Sequence, residues 1–323
     1  SVIALAIAKV SAANASGSHL SLPIAPAVAL PSANSPSSTV QEYDSEGHTV
    51  IKVIGIGGAG CNAIDHSLKE GVRGVELIAA NTDAHALARS HAPSKILFGE
   101  TGLWAGANPE TGRIAAEGHR DDIRASLEGA HMVFVAAGMG GGTGTGAAPV
   151  VAEIARKMGI LTIGVVTKPF SFEGTERVKA ADAGIAEMEK HVDSLIVIPN
   201  DNLLKVMGDD ADVDECFKAA DDVLKNAVCS VADIINYPDM VGVDLEDVRT
   251  VMGNMGRAKL GYAVASCIDR ARIAAKQAIA SPLLLGVNLP RAKGLLVNIT
   301  AAKGNLKMKE VTRVMNTVKA FAA

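Results

Sequence analysis

Six glycines fall within the nine residues Gly138-Met139-Gly140-Gly141-Gly142-Thr143-Gly144-Thr145-Gly146, directly behind the apolar run Met132-Val133-Phe134-Val135. Glycine packs nothing and loses the most entropy on ordering, so a run this dense belongs where the backbone must approach something closely. A strand entering such a run, with a helix behind it, aims successive N–H groups at one point. That arrangement is a nest for a di- or triphosphate, and the Thr hydroxyls can donate to it or reach a Mg²⁺. No lysine of the Walker kind accompanies it.

A second glycine loop reinforces the first. Ile51-Lys52-Val53-Ile54 runs into Gly55-Ile56-Gly57-Gly58-Ala59-Gly60, with helical spacing from about Asn62. Taken alone, this satisfies G-x-G-x-x-G, and Asp83 closes the next strand where a dinucleotide fold keeps its ribose-binding acid, so a nicotinamide oxidoreductase is the rival reading. Two glycine loops on neighbouring strands exceed what one pyrophosphate needs, and the balance moves to a nucleoside triphosphate.

From Val50 the chain alternates β-branched runs (51–55, 75–80, 132–136, 161–166, 194–198) with helical patterns (62–70, 108–127, 148–158, 177–191). Such alternation predicts an α/β fold with a parallel sheet covered on both faces and its ligand beyond the carboxyl ends of the strands. Val213, Phe217, Ala220, Leu224, Ala227, Val231 and Ile234 recur at helical spacing and predict one long helix stopped by Pro238. Asp209, Asp210, Asp212 and Asp214 at its start read as partners of the helix dipole rather than a metal cluster. A second mixed pattern follows, with a helix near 270–279 and a strand at 294–299. The expected organisation is a disordered tail over 1–48, a nucleotide-binding domain over 49–211, a central helix over 212–237 and a smaller domain over 238–323.

The tail is rich in Ser, Ala and Pro, and no helix or strand period persists in it. Its apolar run from Val2 to Ala8 resembles a targeting remnant without a basic leading region. Its Ser-rich, acid-poor character also fits a plastid-type leader, although Arg is absent from it. Lys and Arg number 31 against 35 Asp and Glu, which leaves no electrostatic footprint for nucleic acid or an anionic membrane. Cys61, Cys216, Cys229 and Cys267 form no C-x-x-C pair, so neither a disulfide framework nor a zinc site is expected. No apolar run approaches the roughly 20 residues a bilayer requires.

The stretch from Gly140 to Gly146, together with Asn81-Thr82-Asp83, Asn108-Pro109-Glu110, Pro199-Asn200-Asp201 and the run from Val243 to Arg249, is similar to the FtsZ family, the bacterial tubulin homologues of the division ring. The similarity extends from about Ile51 to about Ala320. It implies a tubulin-like fold and a cytoplasmic GTPase, with Mg²⁺ held by its nucleotide, that polymerises head to tail among other division-ring proteins. By position, Gly57, Gly58, Ala59, Gly60, Cys61 and Asn62 would line the nucleotide. Gly140, Gly141, Gly142, Thr143 and Gly144 would hold the phosphates, with Ala105, Gly106, Ala107 and Asn108 near the terminal one. Asn81 and Asp83 would border the site, and Glu173 and Arg177 would reach the ribose. Asp222, with Asp221 beside it, would read guanine, whose N1 and N2 donors suit a carboxylate.

The phosphate loops hold no side chain able to activate water. The resemblance supplies one in trans: Asp244 and Asp247 of the next subunit would orient the attacking water. As bare sequence, two acids at a helix start are dipole partners. Four departures from the family pattern bear on this. Gly242 stands for an Asn before the catalytic acids, Trp104 for a small residue, and Lys218 for an aromatic that stacks on guanine with Asp221 for an Asn beside it. The fourth is that the chain stops at Ala323, before the family's last strands and its tail, which would leave a sheet edge unpaired and the tail's partners and membrane tethers without a site. An alternative follows from the first two departures: a nucleotide-binding paralogue with weak hydrolysis, acting as a structural partner of the ring.

Overall fold

The computed structural model of the chain describes residues 2–10 and 49–253, apart from 70, 73, 100–104, 209 and 237–244, and then 256–266, 269–281, 294–301 and 305–322. Trp104, Gly242 and Asp244 lie outside the described residues.

The strands are β1 (Val2–Val10), β2 (Ile51–Ile56), β3 (Glu76–Asn81), β4 (Ser94–Leu97), β5 (Met132–Gly138), β6 (Leu161–Lys168), β7 (Ser194–Pro199), β8 (Gly256–Ala265) and β9 (Gly294–Ala301). They form one sheet in the order β4-β3-β2-β5-β6-β7-β8-β1-β9, and every pairing is parallel. The strand order reverses at β2 and β5, the two strands that carry the glycine loops. A reversal of this kind opens a crevice at the carboxyl ends, where doubly wound sheets bind ligands.

Helices cover both faces, as the strand patterns require. On one side, α1 (Gly57–Lys69) and the long α8 (Val213–Asn236) close over Val53, Phe134, Ile163 and Ile196. On the other, α4 (Arg120–Leu127), α5 (Gly142–Lys157) and α6 (Thr175–His191) pack on Ile54, Val133, Val135 and Val166. These strand residues are almost fully buried, which accounts for near-continuous apolar runs rather than alternation. Around β9, α10 (Arg270–Ile279) and α11 (Met308–Ala322) enclose a smaller cluster.

Two expectations are corrected. Val2–Val10 is not part of a disordered tail: it is a strand paired on both sides, Ala6 opposite Gly261 of β8 and opposite Val297 of β9. A continuous apolar run, lacking any alternation, is the pattern of a parallel strand flanked by two others. The helical stretch expected over 108–127 is two helices, α3 (Pro109–Glu117) and α4, divided at Gly118-His119. The long helix expected from the 213–234 spacing is present as α8, buried at Ala220, Leu224 and Ala227 and exposed at Val213 and Phe217.

Candidate functional site

Both glycine loops are shorter than their sequences suggest, because the helices begin inside them. α1 starts at Gly57 rather than about Asn62, and α5 starts at Gly142 rather than at 148. Low helix propensity hides these first turns from a sequence reading. Their physical effect is to place the N-terminal amides of two helices, with their positive dipole ends, at the same crevice. Gly57 has φ +72° and Gly140 φ +109°, conformations that favour glycine.

The loops touch one another. A Cβ on Gly57 would lie 3.1 Å from the Gly144 nitrogen, and one on Gly138 would lie 2.8 Å from the Ala59 Cβ. By contrast, a Cβ on Gly58, Gly106 or Gly141 would meet nothing within 4 Å. These three glycines border open space, as a cradle for an anion requires. Gly140 N–H donates to Thr145 Oγ1 at 2.8 Å, and Gly142 N–H to the Gly106 carbonyl at 2.9 Å, so the loop carrying Ala105, Gly106, Ala107 and Asn108 is fastened to the start of α5.

Thr82, absent from the sequence-based set, ties three loops together. Its hydroxyl lies 2.7 Å from Thr143 Oγ1 and accepts from the Ala105 N–H at 3.3 Å. It is buried, and its place in Asn81-Thr82-Asp83 is the signal in the sequence. Asn108 caps α3, accepting from Glu110 N–H at 3.0 Å. Asp83 caps α2 (Ala84–Arg89), accepting from His85 and Ala86, while Asn81 accepts from Asp83 N–H. Local capping therefore engages Asp83 Oδ1. The Cys61 thiol faces the Gly55 and Ala80 carbonyls, and burial pushes it up to about 12, so it is a neutral core group and only its backbone borders the crevice.

Arg177 Nε lies 3.2 Å from Glu173 Oε2, and Glu173 in turn accepts from Phe170 N–H. A Cβ on Gly140 would meet Arg177 Cγ at 2.8 Å, which sets this ion pair against the phosphate loop. On the opposite wall α1 meets α8. Asn62 Nδ2 donates to Asp221 Oδ2 at 3.4 Å, and His66 Nδ1 lies 3.0 Å from Asp222 Oδ1. Lys218 brings no ring to this wall, but an aromatic stands one residue earlier. Phe217, four residues before Asp221, sits edge-on to Phe170 at 5.4 Å, and Phe172 stacks on Phe170 at 5.1 Å. Asp247 stands exposed in the first turn of α9 (Leu245–Met252), on an element separate from the glycine loops.

Burial, followed by the charge of Asp222, raises the Asp221 carboxyl to about 6, against the opposing pull of Asn62. The acid keeps its proton to higher pH in the fold than in the unfolded chain. Stability should therefore fall as pH rises from about 4 to about 6, a penalty of about 2 to 3 kcal/mol at neutral pH. Asp221→Asn is expected to remove that slope and to raise the stability at pH 7 by about 2 kcal/mol, read from denaturant unfolding at a series of pH values. An unchanged slope would place the titrating group elsewhere.

These features define a class: an α/β protein with an open glycine crevice between two helix starts at a sheet switch point, beside a wall bearing acids and an aromatic. The family described as "Tubulin/FtsZ family, GTPase domain" matches residues 50–208, and "FtsZ family, C-terminal domain" matches residues 256–323. Cell division protein FtsZ of Neisseria meningitidis is 53% identical over 277 residues, covering 84% of this chain and 70% of that protein. Its counterpart in Buchnera aphidicola is 52% identical over 279 residues, covering 85% and 72%. Among solved structures, an empty FtsZ dimer from M. jannaschii superposes with a TM-score of 0.79 at 40% identity, covering 84% of this chain and 80% of that one. CetZ1 from Haloferax volcanii, at 17% identity and a TM-score of 0.65, shares the fold. The chain belongs to the Tubulin/FtsZ family, in its FtsZ branch of cell-division GTPases. Val2–Val10 lies outside both family matches.

Proposed function

We propose that the chain binds GTP in the crevice between the two glycine loops, assembles head to tail, and hydrolyses the nucleotide only where a second subunit completes the site. The observation that carries this reading is the open glycine cradle at Gly58, Gly106 and Gly141, framed by two helix starts. Backbone amides there would grip the phosphates. Glu173 and Arg177 would contact the ribose, and Asp222 the N1 and N2 donors of guanine, with the ring of Phe217 beside the base. GDP would remain in the same cradle after hydrolysis.

Magnesium fits as a partner of the nucleotide rather than of the protein. Among the described residues no group of three or more His, Cys, Asp or Glu could hold a metal ion, whereas the Thr143 hydroxyl borders the cradle and phosphate oxygens supply hard ligands. The ion would neutralise charge on the transferring phosphate.

Asp247, on its separate helix, would act with Asp244 on the nucleotide of the neighbouring subunit. A contact between different faces of identical subunits propagates as an open filament where its rotation does not close into a ring, and a filament is the assembly proposed. The setting would be the bacterial cytoplasm at the division site, with other ring proteins tethering the filament to the membrane. Among the described residues no helix is long and apolar enough to cross a membrane.

Calorimetric titration tests the nucleotide assignment. Saturable heat is expected with GTP and GDP, and none with ATP or NAD. Silence with both guanosine phosphates would overturn the reading.

A further inference from the structure

The wall formed by α1 and α8 holds a second arrangement. Two adjacent acids, Asp221 and Asp222, face two α1 side chains one turn apart, Asn62 and His66. Each acid has its own partner: the Asn62 amide takes Asp221, and His66 Nδ1 takes Asp222 Oδ1 at 3.0 Å. Lys225, itself buried, approaches the same Oδ1 at 3.5 Å. A carboxylate accepts only, so His66 Nδ1 must carry the proton in this contact. Asp222 and His66 are each about one-third exposed (33% and 34%), placing them at the lip of the crevice rather than in the core.

Adjacent residues on a helix point about 100° apart, so which of the two acids faces the ligand depends on what holds each of them. Donors converging on one oxygen fix the rotation of the Asp222 carboxyl group. Rotation matters here, because guanine offers N1–H and the 2-amino group as a parallel pair and a carboxylate matches both only in one plane. A freely turning carboxylate would still attract one donor but would lose the second.

We propose that His66, through its contact with Asp222 Oδ1, is a positioning residue that fixes the plane of the base-reading carboxylate and thereby sets the preference for guanine over a purine lacking the 2-amino group. The proposal rests on the base-reading role assigned above to Asp222. Phosphate gripping by the two glycine loops is independent of it, so His66 affects selectivity more than the hold on the triphosphate.

Equilibrium binding of GTP and ITP to the full chain tests this, since inosine differs from guanosine only by the absent 2-amino group. The parent protein is expected to prefer GTP. In His66→Ala the preference should shrink about tenfold, mainly by weaker GTP binding, the scale of one charge-assisted hydrogen bond. His66→Asn, whose amide can donate from nearly the place of Nδ1, should restore most of it. Equal weakening of GTP and ITP in His66→Ala would show a merely structural role and overturn the proposal, as would an unaltered preference. A parent protein that binds both nucleotides tightly and equally would instead strike at Asp222 as the base reader, with the phosphate cradle left standing.

Discussion

Gly146→Ala is expected to destabilise the protein by at least about 3 kcal/mol, enough to unfold much of the population at physiological temperature. A Cβ at this position would overlap the Pro109 carbonyl oxygen and lie 2.6 Å from the Arg113 nitrogen. Both obstacles are backbone atoms of α3, so no side-chain rotation relieves them, and α3 must leave α5. The same junction is tight at Gly112, where a Cβ would overlap the Gly142 carbonyl, its carbon 2.9 Å away. Because Asn108 and the loop before it ride on α3, the terminal-phosphate edge of the crevice would be lost with the packing. Gly58→Ala supplies the contrast. It meets nothing within 4 Å, so stability should change by less than about 1 kcal/mol, while a methyl group in the cradle should weaken GTP binding tenfold or more. Thermal unfolding and nucleotide titration of the two variants separate the effects. Equal stability of both would show that the helix starts are not in contact.

Gly146 and Gly58 stand in runs that look alike in sequence, yet one is a packing glycine and the other a binding glycine. Only the placement of α3 distinguishes them. The sheet was far more legible: β2, β3, β5, β6 and β7 fall within a few residues of their apolar runs, because burial on both faces leaves an unbroken signal. β4, a four-residue edge strand, was too short to show. β1 was hidden by the Ser, Ala and Pro of its surroundings, and its pairing partners lie more than 250 residues away. In the site, the glycine loops, Asn62, Asp221 and Asp222 were legible as motif positions. Thr82 and Phe217 were not. Thr82 acts through a contact with Thr143 that links two distant loops, and Phe217 was masked by belonging to a stripe that reads as core but emerges into solvent. Asp83, expected at the border of the site, also caps α2, a role its place at the end of a strand did not signal.

The largest expected functional effect is at Asp247. Its side chain stands exposed on α9, an element separate from the loops that would hold the nucleotide, and the loop segment Met139 to Gly144 contains no acid or base. If the water is oriented by a neighbour's carboxylate, Asp247→Ala should leave GTP affinity within about twofold while lowering turnover by roughly a hundredfold to ten-thousandfold. Loss of binding with loss of turnover would mean that the acid serves its own subunit's nucleotide pocket. Asp247→Asn should also be poor in turnover, since an amide is a weaker acceptor for the water's proton than a carboxylate.

The most direct measurement is phosphate release from GTP per subunit across a dilution series, for the parent chain beside Asp247→Ala. Turnover near zero below a threshold concentration, a steep rise above it, and a flat line for the variant at every concentration are the predicted results. Turnover per subunit that stays constant down to the most dilute sample would contradict the account, because each lone chain would then possess a complete catalytic site.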